Sequence, residues 1–197
     1  MRDMGDTYFD EATDGKSYIP SGTYPAHAVT LEMKDQRKDG TSFRGGSKVF
    51  NVTFQIADEV SELKIPKVIK QGNEYVDVKD DDGNTVTIDG SFLKGKKFSS
   101  IGLWVRPNPE EGKGWMNRNY LEFFSNMGVE FPDVEGKTKL MEVEESDIVG
   151  LPALVKIDNE EYEFDGETRT AVKIFAAYPW SSGVRLDPSE LDSDIPF

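Results

Sequence analysis

Strict alternation of apolar and polar side chains is the clearest pattern in the chain, and it runs over residues 49–57. Alternation with a period of two is typical of a β-strand that buries one face and exposes the other. The apolar set, which we expect to face a core, is Phe50, Val52, Phe54 and Ile56. The opposite face is polar, and we expect Asn51 and Thr53 on that face to reach solvent.

Four other segments have strand-like patterns. A first strand is predicted over 24–33, and a third over 96–106, where Pro107 ends it. Two later strands are predicted over 153–158 and 169–178, and an acidic hairpin tip joins them. In the first strand, alternation separates Tyr24, Ala26, Ala28 and Thr30 from Val29, Leu31 and Met33.

Residues 58–92 interrupt this series and are predicted to be an insertion. Within the insertion, two short β-prone stretches, 75–78 and 85–88, flank the turn-forming sequence at 80–84. Turn residues between two alternating stretches are typical of a β-hairpin. We therefore predict an inserted hairpin between the second and third core strands.

A helix is predicted between the third and fourth core strands, with Gly128 as its stop signal. The apolar positions at helical spacing are Met116, Tyr120, Phe123, Phe124 and Met127. The resulting order predicts a mainly β protein: a five-stranded Greek-key barrel of OB type, with one helix between strands 3 and 4 and an inserted β-hairpin. An open sheet covered by the helix is the alternative. We favour the barrel, because an open sheet leaves both of its edge strands exposed.

The chain divides into three predicted parts. Residues 1–18 are acidic and lack periodicity, so we expect a flexible arm. Residues 19–180 form the barrel domain, with 58–92 inserted. Residues 181–197 begin with Ser-Ser-Gly and are predicted to be a flexible acidic tail.

The composition excludes several kinds of chemistry and complicates nucleic-acid binding. The chain has no cysteine and a single histidine, His27, which rules out disulfides, thiolate metal sites and a zinc site of three histidines. We expect no metal and no cofactor. Proteins that bind nucleic acid are usually basic, whereas this chain has a net charge of -14. Any phosphate contact must therefore come from a local basic patch.

A candidate surface for a single nucleic-acid strand combines the third strand with the loop after the first. Alternation along the third strand places Lys96, Phe98, Trp104 and Arg106 on its outward face. The loop supplies Lys34, Arg37, Lys38, Phe43, Arg44 and Lys48. Aromatic rings stack bases at about 1–3 kcal/mol each, and basic side chains neutralise phosphates.

Other outward residues would extend this surface. Asn51 and Thr53 offer hydrogen bonds beside the rings, and Lys156 and Lys173 have outward parity on the last two strands. The alternative is that the two rings pack beneath the helix or the inserted hairpin, and that the basic loop is an ordinary solvated surface.

The last six residues, Asp192-Ser193-Asp194-Ile195-Pro196-Phe197, resemble the partner-binding tip of bacterial single-stranded DNA-binding proteins. Phe197 presents a ring and an α-carboxylate together, which a pocket with an apolar floor and a basic rim can capture. Pro196 lowers the entropy cost of ordering, and Asp192 and Asp194 steer the tip, with Ile195, to basic rims.

The body is similar to a family of phage-encoded single-stranded DNA-binding proteins. The resemblance rests on Ile19-Pro20-Ser21-Gly22-Thr23-Tyr24, on Leu103-Trp104-Val105-Arg106-Pro107-Asn108-Pro109 and on the helix end Met127-Gly128-Val129. It implies sequence-independent binding of single-stranded DNA in replication, recombination or repair. It also implies that the tip recruits replication, repair or recombination proteins.

The expected function is thus binding without catalysis, with homo-oligomerisation left open. We find no apolar run near the ~18 residues needed to cross a bilayer and no secretory signal. We therefore expect a protein without membrane contact in the cytoplasm, that of the host cell if a phage encodes it. Two alternatives are an adaptor or decoy that captures a host protein through its tail without binding DNA, and a Mg²⁺-dependent nuclease built on clustered carboxylates.

Overall fold

The computed structural model describes residues 19–71, 74–107 and 114–191, and these form twelve β-strands and two α-helices. The predicted arm over 1–18 lies outside the described residues. The strands are β1 Gly22–Lys34, β2 Lys48–Ile56, β3 Lys64–Pro66, β4 Val68–Gln71, β5 Glu74–Asp77, β6 Thr87–Asp89, β7 Lys97–Ser99, β8 Leu103–Val105, β9 Asp133–Val134, β10 Lys137–Thr138, β11 Pro152–Phe164 and β12 Glu167–Tyr178. The helices are α1 Arg118–Asn126 and α2 Glu145–Ile148.

Six strands form the main sheet, in the order β12-β11-β1-β2-β7, and β8 also pairs with β2. All of these pairs are antiparallel. The sheet curls until its two ends meet at one point, where Ser100 forms a parallel bridge with Ile174. There the Ile101 amide donates to the Ile174 carbonyl at 2.9 Å. The predicted mainly β class is confirmed, as a curled antiparallel half-barrel.

The core fills the inside of this curl. The inward side chains of β2 are fully buried, as their alternation predicts. Helix α1 covers them with aromatic rings: Tyr120 lies 5.0 Å from Phe50, and Phe123 lies 6.1 Å from Phe54, between ring centroids. The helix ends before Gly128, whose φ of 91° suits a residue without a side chain. Neither helix in the described ranges is long and apolar enough to cross a membrane.

A bulge in β1 changes which side chains face the core. The β1–β2 register shifts between Ala28 and Thr30. Before the shift, Ala28 lies opposite Phe54 on the inner face; after it, Thr30 lies opposite Thr53 on the outer face. The predicted grouping of Thr30 with Ala28 is therefore wrong. One extra residue in a strand moves everything after it to the other face.

The third predicted strand is broken rather than continuous. It forms β7 and β8, and the residues between them leave the ladder to contact β12. Phe98 lies opposite inward-facing Phe54 and packs against the core, whereas Trp104 lies opposite Val49 on the outer face. The prediction that Phe98 and Trp104 share one outward face is therefore wrong.

The insertion contains two small sheets. Its tip over 80–84 is a turn as predicted: the Asp80 amide donates to the Asn84 carbonyl at 2.9 Å. The strands take other partners than we expected, because β5 pairs with β4 and β6 pairs with β3. The predicted hairpin forms next to its tip, where Lys79 bridges Thr85 and the Val86 amide donates to the Val78 carbonyl at 2.8 Å. The two small sheets add pairing that we did not predict.

Residues 181–191, which we call the C-terminal strap, lie against the body. The Arg185 guanidinium donates to the carbonyls of Ser146 and Val149 at 2.9–3.2 Å, and Leu191 is buried. We predicted a flexible tail from residue 181, whereas residues 181–191 lie against the body in the structure. The strap follows the body because the ends of α2 offer free carbonyl groups that the guanidinium satisfies.

Candidate nucleic-acid interface

The outer face of β2 is a polar strip at the centre of the candidate surface. The hydroxyls of Thr53 and Ser99 lie 3.2 Å apart, across the β2–β7 pair. Asn51 lies opposite Glu32 of β1, and Glu32 forms an ion pair with Lys34 at 2.9 Å. Asn51 and Thr53 are half-buried and lie on the predicted face, where they can offer hydrogen bonds to a ligand.

Trp104 and Phe43 form an aromatic pair at one end of this strip. Their ring centroids lie 4.9 Å apart, and the rings meet edge to face at 77°. Phe43 supports the indole while 47% of Trp104 remains exposed. A large aromatic side chain held in place by a neighbour and open to solvent can stack an unpaired base.

The basic loop, residues 34–48, is shaped by its own hydrogen bonds. Gln36 bridges to Ser42, and the Arg37 amide donates to the Thr41 carbonyl at 2.8 Å. Asp39 accepts from the hydroxyl and amide of Thr41, and these two hydrogen bonds hold the pKa of Asp39 below its usual value. Asp39 therefore stays ionised and the turn stays closed at neutral pH.

Arg106 joins the basic loop to β8. The guanidinium of Arg106 lies directly on Gly45, where a Cβ atom would come 2.9 Å from Nε. Gly45 has a φ of 69°, so both its conformation and this contact favour glycine. We predicted Arg106 and the basic loop on one surface, and the two are in direct contact although they lie far apart in the chain.

The predicted basic residues differ in whether a carboxylate already pairs with them, and therefore in how readily they can contact phosphates. Lys34 is paired with Glu32, and Lys48 forms an ion pair with Glu142. The other bases of the loop, Arg37, Lys38 and Arg44, are exposed and make no ion pair with any residue in the described ranges. These three are the better candidates for phosphate contact.

Lys156 is not brought to the aromatic pair. Lys156 lies opposite Thr23 near the start of β1, whereas Trp104 lies beside Val49, whose β1 partner is at the other end of that strand. At about 3.3 Å per residue, the two ends are roughly 35 Å apart along the strand.

Lys96 and Lys173 have neighbours of their own in the fold. Lys96 lies over the Phe92 ring at 5.3 Å, in a cation–π contact. Lys173 lies opposite Asp158, whose pKa is lowered mainly by a hydrogen bond from the Ser21 hydroxyl and to a smaller degree by Lys156.

Sequence reasoning missed a cleft of about 1060 Å³ beyond Arg106. Lys48, Arg106, Trp115, Arg118, Lys137 and Lys139 are among the residues that line it. Trp115 is 69% exposed, more than any other large apolar side chain of the described residues except Val184. A tryptophan just before a helix and two lysines two residues apart were visible in the sequence. Their proximity to Arg106 was not.

The predicted partner-binding tip lies outside the described residues. Those residues are Asp192, Asp194, Ile195, Pro196 and Phe197. Within the described ranges, no group of three or more histidine, aspartate and glutamate side chains is arranged to hold a metal ion.

Comparison with known proteins assigns no family: no protein-family model matches the chain, and no curated protein matches it. A functional assignment therefore rests on the geometry of the surface described above.

Proposed function

We propose that this protein binds single-stranded DNA without reading its sequence and coats it during replication, recombination or repair. The observation that carries the proposal is the aromatic pair of Trp104 and Phe43. Trp104 is exposed, and the pair lies beside basic side chains of the loop that make no ion pair with a described residue. Stacking on an aromatic ring tolerates any base, because every base has a π-face. The polar strip of Asn51 and Thr53 offers the DNA hydrogen bonds along a path across the sheet.

The proposed scaffold is a five-stranded OB-type Greek-key barrel. In this proposal β1 and β2 are strands 1 and 2, β7 with β8 is strand 3, and β11 and β12 are strands 4 and 5. The strand order and the parallel bridge between Ser100 and Ile174 support closure of such a barrel. Helix α1 follows β8 and precedes β11, between strands 3 and 4. OB barrels bind oligonucleotides on strands 2 and 3 and the neighbouring loops.

The acidic character of the protein is compatible with this function if attraction to phosphates is local. The net charge of -14 repels DNA at long range, but screening limits that repulsion to about 10 Å at 0.1 M salt. Arg37, Lys38, Arg44 and Arg106 lie within the candidate surface itself. We therefore expect affinity to depend on these contacts and to fall as salt rises.

The test uses Trp104 as its own reporter. In a Trp115→Phe/Trp180→Phe variant, Trp104 is the one remaining tryptophan. Oligo-dT should quench its fluorescence, weakly at high salt, and duplex DNA should not. Trp104→Ala in the native background should weaken binding by about 1–3 kcal/mol. Absence of binding at low salt would overturn the proposal.

We further propose that the C-terminal tip recruits replication, repair or recombination proteins. The acids at 192 and 194 and the terminal Ile-Pro-Phe provide charge and an apolar anchor on one short peptide. Bound to DNA, the protein raises the local concentration of such partners. Deletion of Phe197 should abolish partner capture and leave oligo-dT affinity unchanged; loss of both, or of neither, would contradict this division of roles.

The net charge favours one other candidate function, an adaptor or decoy that captures a host protein through the tip and binds no DNA. The same two assays distinguish it. Partner capture that requires Phe197, together with no oligo-dT binding by the intact protein, would identify an adaptor.

A further inference from the structure

The cleft beyond Arg106 has walls held by buried hydrogen bonds. The buried side chain of Asn117 accepts from the Arg106 amide at 2.9 Å and donates to the Arg106 carbonyl at 3.1 Å. This pair of hydrogen bonds fixes the end of β8 to the turn that carries Trp115. The spacing between Arg106 and Trp115 is therefore set before any ligand arrives.

The opposite wall, residues 137–142, is held by Tyr120. The buried Tyr120 hydroxyl donates to the Met141 carbonyl and accepts from the Val143 amide, both at 3.0 Å. Its ring in turn packs on Phe50 of the core. A cleft with both walls fixed loses little entropy when it binds a ligand.

The charge lining the cleft is opposite to that of the protein. Among the described residues, five basic and two acidic side chains line it, in a chain with a net charge of -14. Both acids are neutralised locally, because Glu142 pairs with Lys48 and Glu122 pairs with Arg118. Lys137 and Lys139 make no ion pair with any residue that the structure describes. The cleft therefore attracts an anion.

Arg106 belongs to both surfaces. Its side chain lies on Gly45 of the basic loop and also lines the cleft. Trp104 of β8 is two residues before Arg106, a distance of about 7 Å. A strand of DNA that stacks on Trp104 can therefore continue past Arg106 into the cleft.

We propose that the cleft is a second subsite for the same single strand, in which Trp115 stacks a base and Lys137 and Lys139 contact phosphates. This inference rests on the proposed function. An acidic peptide is the other ligand with suitable charge. The open ring of Trp115 favours a nucleic acid, because a base needs a free aromatic face whereas an apolar peptide anchor needs an enclosed pocket.

The test follows the fluorescence of two tryptophan reporters, each titrated with oligo-dT of about 4 and of about 12 nucleotides. Both lengths are within the range of site sizes for one OB domain. One variant, Trp104→Phe/Trp180→Phe, leaves Trp115 as the reporter; the other, Trp115→Phe/Trp180→Phe, leaves Trp104. Both lengths should quench Trp104, whereas Trp115 should respond to the longer oligonucleotide alone. In the native background, Trp115→Ala should weaken binding of the longer oligonucleotide about 5- to 150-fold.

A lysine pair tests the phosphate contacts. We measure the slope of log K for the longer oligonucleotide against log salt concentration. In the Lys137→Ala/Lys139→Ala variant, this slope should be smaller in magnitude by about 1.4. The short oligonucleotide should be unaffected. The matched control is Lys64→Ala/Lys67→Ala, which removes two exposed lysines of the insertion and should change neither value.

Different failures point to different proposals. If the native protein binds no oligonucleotide of either length, the proposed function fails and the cleft assignment with it. If the native protein binds but the lysine pair matches its control, or Trp115 is not quenched by the longer oligonucleotide, only the cleft assignment is overturned. Quenching of Trp115 by the peptide Asp-Ser-Asp-Ile-Pro-Phe and not by DNA would also overturn it, and would assign the cleft to acidic peptides.

Discussion

Trp104 owes its position to a residue that has no side chain. A Cβ atom at Gly102 would lie 3.2 Å from the Trp104 indole nitrogen and 2.8 Å from a methyl group of Val49. The indole therefore lies over the backbone at Gly102, with Phe43 against it from the basic loop. A glycine at this position is what allows a large ring to lie flat at the end of the strip.

Gly102→Ala should displace the indole and weaken DNA binding together with stability. We expect about 1–3 kcal/mol less free energy of unfolding in urea, because the added methyl overlaps with its neighbours. Oligo-dT affinity should fall in the same variant. The matched control is Gly114→Ala, where a Cβ atom would meet no described residue within 4 Å. Because Gly114 lines the cleft, the two variants are compared with the oligonucleotide of about 4 nucleotides, which we expect not to reach the cleft. Equal behaviour of the two variants would show that Gly102 does not position Trp104.

Tyr120 gives a residue-scale prediction that involves pH. Burial raises the pKa of Tyr120 from 10.0 to about 12, although the hydrogen bond from the Val143 amide opposes the rise. The folded state therefore favours the neutral phenol. The stability that this contributes is fully present below pH 10 and is lost as the pH rises from 10 towards 12.

Tyr120→Phe should lower the free energy of unfolding at pH 7 by about 1–3 kcal/mol, because the Val143 amide loses its partner. The difference between native protein and variant should shrink above pH 10, where the native protein alone loses the Tyr120 contribution. Tyr24 has a similarly raised pKa in both proteins, so its effect cancels. Urea unfolding across this pH range measures the difference, and a constant gap would contradict the assignment.

At the scale of elements, the C-terminal strap replaces a tail. The Leu186 amide donates to the Gly150 carbonyl at 3.0 Å, and His27 Nε2 lies 3.0 Å from the Val184 carbonyl. The strap thus contacts the middle of β1 and the turn that follows α2. Its path sets the point from which the tip at 192–197 leaves the described part of the chain.

Arg185→Ala should loosen the strap without unfolding the barrel. Loss of the hydrogen bonds to Ser146 and Val149 should speed hydrogen exchange at the Leu186 amide by about tenfold, which corresponds to ~1.4 kcal/mol. Exchange in β2 should not change. Arg37→Ala, in the basic loop, is the control and should leave Leu186 protected. Unchanged exchange at Leu186 would show that other contacts hold the strap.

At the scale of the whole molecule, local and overall charge make opposite predictions. Two triple-alanine variants separate them, one replacing Arg37, Lys38 and Arg44 and the other replacing Lys64, Lys67 and Lys79. Each removes three positive charges, so both make the protein equally more acidic. If contacts decide affinity, the slope of log K against log salt concentration should become smaller in magnitude by about 2 in the loop variant alone. Equal loss in both would assign the effect to overall charge.

Much of the fold could be predicted because hydrophobic periodicity is a local signal. The inward set of β2 is buried as the alternation predicts, and α1 occupies the stretch with helical spacing. The sequence likewise shows an aromatic residue among several basic residues in the basic loop. The three-residue break that separates Phe98 from Trp104 was not visible, because the apolar pattern continues through it.

The sequence alone determined the β class, the buried face of β2 and the bases of the loop, since each depends on residues adjacent in the chain. The tertiary structure decided which aromatic side chain reaches solvent. The buried Ser100 hydroxyl accepts from the Val52 amide at 3.0 Å, and the Ile101 amide bonds to Ile174. These distant partners satisfy the backbone at the break, and a strand that breaks and restarts can present its residues with the opposite parity. The cleft and the strap likewise depend on groups far apart in the chain, and no local pattern encodes them.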